Sequence, residues 1–423
     1  MKKSTPTDTP VATADNKKRW LLILGAMGPG IVAAMAGNDA GGIAAYSIAG
    51  ASYGYGTLWT IPIMMIMLIL VQETCMRMGA VTGKGLSSLI RENFGIRLAA
   101  FAMFTLFLAN FGTAVSQFAG VAAGMELFGV SKYISVPVAA VAVWLQVIGG
   151  SYKSVQRIFL LIACVFATYV VAAFMSHPNW GQVATSTIIP HFETSPAFIS
   201  LIMAAIGTTI APWMLFFTQN NIVDKGVTTK DIFYQRIDIT SGGIVACAVA
   251  WFIIITTGTV LYPQGIVIAD AADAANALAP VAGAYAQKLF GIGLVGASLL
   301  ACCVLPLTTS YAICEAFGWE HGLDRKWREA PTFKTMYTAI VAFSAALVLI
   351  PGLDLIWIIM ITQVMNGALL PILLVFTLKL AGDKHLMGAH RNSKGLTVVL
   401  WVMVVVVTVL TIAMLVMQAL GIG

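Results

Sequence analysis

Apolar residues run through this chain in long blocks of about 20, each closed by a short polar stretch, a spacing set by the hydrocarbon thickness of a bilayer. Eleven blocks can be drawn, at 20–48, 56–79, 97–127, 132–150, 155–176, 196–223, 240–262, 289–318, 333–350, 353–380 and 396–419. The stretch 264–287 is too polar and interrupted to span, and reads as an external loop with a short amphipathic helix around 274–287. Residues 1–19 are polar and read as a disordered tail, and the block after them is too long for a signal-peptide core. Charge tests the count. All but Lys132 and Lys288 of the 24 lysines and arginines fall on one side of the membrane under this assignment. The positive-inside rule makes that side cytoplasmic, with the N-terminus inside and the C-terminus outside. A multi-pass protein of the plasma (inner) membrane is the expectation.

Two blocks carry features that a plain spanning helix does not need. Gly37-Asn38-Asp39-Ala40-Gly41-Gly42 lies inside the first block. An ionised Asp at bilayer depth costs several kcal/mol unless it faces protein, water or a cation. The glycines around it weaken the helix, and Gly41 is the expected point of the break. Unwound backbone at this depth is tolerated only where it lines a cavity. Asp39 therefore reads as a cation site. In the sixth block stands Gly207-Thr208-Thr209-Ile210-Ala211-Pro212-Trp213, where Pro212 removes a backbone donor and breaks the helix near its middle. Broken first and sixth spans are what two inverted five-helix repeats predict, with the site between the breaks.

Composition agrees: 59% hydrophobic, 10% charged and a mean hydropathy of +0.88 belong to polytopic membrane proteins. The net charge of +6 does not point to nucleic acid, because the basic residues sit in short loops without aromatic stacking partners. Cys75, Cys164, Cys247, Cys302, Cys303 and Cys314 form no C-x-x-C pair and read as packing residues. All five histidines fall in loops, and Glu73 with Arg77 at i,i+4 reads as a surface pair.

At these motifs the sequence resembles the Nramp family of divalent-metal transporters across nearly all of residues 20–420. Gly28-Pro29-Gly30, Ala49-Gly50-Ala51 and Tyr53-Gly54-Tyr55 are similar to that family, and two departures are informative. The family's Asp-Pro-Gly-Asn stands here as Asp39-Ala40-Gly41-Gly42, and its Met-Pro-His as Ala211-Pro212-Trp213. These departures resemble the Nramp-related magnesium transporters. The resemblance implies an all-α, LeuT-type fold: repeat one over about 20–176, repeat two over about 196–380, and an extra helix over about 396–419. It implies Asp39, the Thr208 carbonyl and Gln363 as metal ligands, with Gly42 and Ala211 at positions whose ligands are lost. It also implies that the proton-relay positions are vacated, being held by Trp213, Thr218 and Gln117.

Loss of a thioether and an amide should change the cargo. Methionine favours Mn²⁺, Fe²⁺ and Cd²⁺, whereas Mg²⁺ wants oxygen, sheds water reluctantly and sits on one or two carboxylates with waters retained. One carboxylate in a widened pocket suits a largely hydrated Mg²⁺, and Mn²⁺ should still pass. Without an imidazole inside the bilayer, entry should be driven by voltage rather than protons. A divalent ion gains roughly 4–5 kcal/mol at −100 mV. The rival within transport is a proton-coupled Mn²⁺/Fe²⁺ carrier. A sodium-coupled amino-acid carrier is disfavoured, because Asp39 would repel a substrate carboxylate. An intramembrane enzyme would need paired acids or a Ser/His cluster at depth, and none is evident. The expected partners are the metal ion and the bilayer, with no cofactor, nucleic acid or obligatory protein partner.

Overall fold

A computed structural model describes residues 38–148, 168–322 and 325–420. The polar tail 1–19, the first part of block one with Gly28-Pro29-Gly30, most of block five and Cys164 lie outside the described residues. Every regular element among those described is helical. In order they are α1 (Ala40–Tyr53), α2 (Thr60–Thr82), α3 (Leu86–Glu126), α4 (Lys132–Ile148), α5 (Thr168–Met175) and α6 (Trp180–Ile188). Then come α7 (Pro196–Thr209), α8 (Pro212–Asp224), α9 (Ile232–Val260), α10 (Ala271–Ala275), α11 (Ala279–Ala282) and α12 (Ala286–Phe317). The chain closes with α13 (Pro331–Val348), α14 (Leu355–Gly382), α15 (Lys384–Met387) and α16 (Lys394–Ala419).

Among the described residues, 8 segments are long and apolar enough to cross a bilayer, with Lys132–Ile148 a shorter apolar helix beside them. Each overlaps a block drawn from the sequence, but two begin well before it, at Leu86 against 97 and at Thr229 against 240. The polar stretch 264–287 does not span; it folds into α10, α11 and single 3-10 turns rather than one amphipathic helix. Asp270 caps α10 and Asp273 bonds back to the backbone N–H of Asp270, so local capping outweighs a continuous helix there. Helix α6 was not foreseen, since Trp180–Ile188 lacks a long apolar run; Asn179 caps it through the Gln182 N–H.

Helix α3 has 41 residues and is interrupted at Gly95, whose φ of 80° only glycine adopts cheaply. Its long straight part packs along α12 and α14 and forms the spine of the bundle. Helix α9 packs on α1 and α2, and α7 packs on α14. The segment Pro196–Asp224 is 94% buried over its apolar window, whereas Lys394–Met417 is only 28% buried. The broken helix is therefore at the centre, and α16 is at the perimeter, burying Val404 and Val407 and turning most of its other valines outward. The five described cysteines are free and buried, as packing residues should be.

Candidate functional site

The two interruptions meet at the centre. Asp39 has extended backbone, and its side chain accepts from the Gly42 N–H at 3.1 Å, so it caps the helix that begins at Ala40. On the other side, α7 ends at Thr209, Ile210 and Ala211 are non-helical, and Pro212 opens α8. Because Pro212 has no N–H, the Thr208 carbonyl loses the donor one turn ahead of it and stays available to a ligand. Helix α1 is tied to α7 beside this break: the Tyr46 hydroxyl meets the Thr209 hydroxyl at 2.6 Å. The Met64 thioether lies 3.5 Å from the same hydroxyl.

Gly41 is not itself the break. It lies in the first turn of α1, and its role is close approach: a methyl group there would overlap the Gln363 side-chain amide. Gly207 likewise abuts the backbone of Gln363 and Gly367, which is how α7 and α14 come together. Asp39, Thr208 and Gln363 are thus gathered around the two breaks, each at most 3% exposed.

Neutral groups surround the carboxylate. Gln117 Nε2 donates to Asp39 Oδ2 at 2.7 Å, while Gln117 Oε1 accepts from the Ala40 N–H at 3.2 Å. The Thr208 hydroxyl lies next to the carboxylate but without hydrogen-bond geometry, and it has no partner among the described residues. The buried Ser298 hydroxyl and Asn366 Oδ1 are also without partners there. Among the described residues no Lys, Arg or His pairs with Asp39, and no group of three His, Cys, Asp or Glu side chains could hold a metal. Any cation here would be held by one carboxylate, backbone carbonyls, neutral side chains and water.

Ala211 is buried at the start of α8 with only a methyl side chain, and Gly42 has no side chain and gives its N–H to Asp39, so neither supplies a side-chain ligand. Trp213 is buried, edge-on to Phe217 with ring centroids 5.6 Å apart, and the buried Thr218 hydroxyl has no partner among the described residues. The five histidines lie outside the long helices. Sequence reasoning missed Thr113, Ser116 and Asn366. Asn366 Nδ2 donates to Gln363 Oε1 at 3.0 Å and to Thr113 Oγ1 at 2.7 Å, and Gln363 Nε2 donates to Ser116 Oγ at 3.3 Å. A signal was available, because the spacings 113–116–117 and 363–366 each put polar residues on one helix face.

The pair Glu73–Arg77 forms at 3.0 Å, but it is not a surface pair: the side chains are 14% and 4% exposed. Arg236 adds a second guanidinium to Glu73 at 2.8 Å, and Arg77 also donates to Asn392 Oδ1 and to the His390 carbonyl. Partners distant in sequence cover the pair. Glu315, on α12, accepts from the Ser87 hydroxyl at 2.5 Å.

Among the described residues, a helix that begins at Ala40 and a second helix broken between Thr209 and Pro212 meet in an all-helical bundle, and together they mark a multi-pass membrane protein with the LeuT-type transporter fold. A manganese transporter of Eremococcus coleocola superposes with a TM-score of 0.75 at 20% identity, covering 96% of this chain and 88% of that one. MhsT in complex with L-phenylalanine gives 0.57 at 13% identity, covering 92% and 97%. Mhp1, a nucleobase-cation-symport-1 family transporter, gives 0.50 at 14% identity, covering 93% and 91%. The sequence profile described as natural resistance-associated macrophage protein-like matches residues 30–417, and the chain belongs to that family, Nramp.

Proposed function

We propose that this protein is a divalent-cation importer that carries Mg²⁺, and Mn²⁺ as well, in largely hydrated form by alternating access without proton coupling. The observation that carries the reading is the isolated Asp39 carboxylate, buried between two helix breaks among neutral amides and hydroxyls. An unpaired anion at that depth is costly unless a cation comes to it. Asp39, the Thr208 carbonyl and Gln363 are the proposed ligands; Gly42 and Ala211 leave room for water where side-chain ligands would otherwise reach in. The absence of a thioether at Ala211 argues for a hard ion. Repeat one covers about 20–176, repeat two about 196–380, and α16 is the extra helix. The protein sits in the inner membrane with its basic face towards the cytoplasm.

Uncoupled transport follows from Trp213, Thr218 and Gln117 being unable to carry a proton at neutral pH. The test uses the full chain in liposomes containing a pH dye. Mg²⁺ should compete with Mn²⁺ uptake, flux should rise with an inside-negative potential, and internal pH should stay constant. Metal-dependent acidification that vanishes in Asp39→Ala would replace this reading with a proton-coupled Mn²⁺/Fe²⁺ carrier.

A further inference from the structure

Helix α3 places two consecutive polar residues against the site. Ser116 and Gln117 are 0% exposed, and both belong to one hydrogen-bonded chain. Gln117 Nε2 reaches Asp39 Oδ2 at 2.7 Å and Ser116 Oγ at 3.3 Å. Gln363 Nε2 reaches the same Ser116 Oγ at 3.3 Å. One hydroxyl oxygen therefore accepts from two amides, one fastened to the carboxylate and the other belonging to the amide that covers Gly41. Beyond Gln363 the chain continues through Asn366 to Thr113, one turn earlier on α3. Asp39 is on α1 and Gln363 is on α14, so nothing local in sequence fixes one relative to the other. Their common point is Ser116.

We propose that Ser116 is a positioning residue for the transported cation. Its hydroxyl, as a shared acceptor, sets the separation and orientation of Asp39 and Gln363, and hence how tightly the ion is held. This rests on the reading of Asp39 and Gln363 as ligands. Ser116 touches no ion itself. Removing its oxygen leaves two buried amide N–H groups short of a partner, and each turns to find another. Both ligands are then released from one fixed geometry, so affinity falls while the hinge motions of the transport cycle are unaffected.

The experiment is Mg²⁺-competed Mn²⁺ uptake by the full chain in liposomes for Ser116→Ala, Gln363→Ala and the double variant, with Asp39→Ala alongside. Ser116→Ala should raise the apparent KM by roughly tenfold, the size of one lost buried hydrogen bond, with the maximal rate within about twofold. The double variant should raise KM by less than the product of the two single effects, because part of the Ser116 effect runs through Gln363 and the rest through Gln117 to Asp39. A merely structural Ser116 would lower thermal stability and leave KM unchanged. Unchanged KM, or effects that multiply in the double variant, would overturn the proposal. If Ser116→Ala does not insert, Ser116→Cys keeps the volume with a weaker acceptor and should raise KM in the same direction; an unchanged KM there overturns the proposal equally. Retained transport in Asp39→Ala would instead remove the site assignment beneath it.

Discussion

At the basic face, Glu73 is 14% exposed and meets two guanidiniums, Arg77 at 3.0 Å and Arg236 at 2.8 Å. At the helix breaks, Asp39 is 3% exposed and meets an amide and a backbone N–H. Both carboxylates are enclosed by helices, but they are compensated in opposite ways. Glu73 joins α2 to the start of α9 and, through Arg77, to the segment before α16, and its charge is neutralised by the protein itself. Among the described residues Asp39 has polar contacts only. Removing one member of a buried pair strands its partner's charge, whereas removing a buried charge that has no counter-ion strands nothing. The two sites should therefore respond oppositely to neutralisation.

The largest contrast comes from Asp39→Asn or Asp39→Ala. Uptake should fall at least ~100-fold, as expected if the only charged group among the proposed ligands is lost, while thermal stability without metal holds or rises because a buried unpaired charge is gone. Uptake near the parent rate would end the assignment. Glu73→Ala should do the reverse and cost about 3–5 kcal/mol, since it strands Arg77 in a buried position. Thermal unfolding in detergent measures this, and a melting temperature equal to the parent's would mean that the network is incidental. The Mg²⁺/Mn²⁺ preference of the folded fraction should not change.

Smaller effects separate cargo from scaffold. Ala211→Met combined with Gly42→Asn should shift competition towards Mn²⁺ and Cd²⁺ by about tenfold, the contribution of one good ligand. Equal competition by excess Mg²⁺ in variant and parent would discard the argument from ligand softness. Met64→Leu should change the preference less than about twofold, because its sulfur faces the Thr209 hydroxyl and its packing volume is kept. A larger shift would make Met64 a soft ligand supplied from α2 in place of the missing one.

Much of this was legible before any coordinates. Lipid demands about 20 apolar residues per crossing, so span limits are read directly, and Pro212 breaks its helix whatever surrounds it. Gly41 was read as local weakness, yet its function lies in what it faces, the Gln363 amide from another helix 322 positions on. The spacing of Glu73 and Arg77 gave the pair, but burial came from Arg236 and Asn392, which no i,i+4 rule can supply. Ser116 and Asn366 were passed over because small polar residues in apolar helices gain meaning only when a partner is aligned with them. Spacing reports one helix, and the site is made by five: α1, α3, α7, α8 and α14.

The interruption at Gly95 should bear on how deep the molecule rides in its bilayer. The straight part of α3 that follows rises about 45 Å, close to the full thickness of a membrane with its headgroups. The turn before it keeps Leu86, Leu89 and Ile90 buried and leaves Arg91 and Glu92 exposed, Glu92 pairing with Lys84 at 2.7 Å. An amphipathic turn of this kind should act as a waterline, holding the headgroup level at one height against the bundle. In a thinner membrane that shelf would resist sinking, so the lipids would have to stretch around the protein rather than the protein tilt among them.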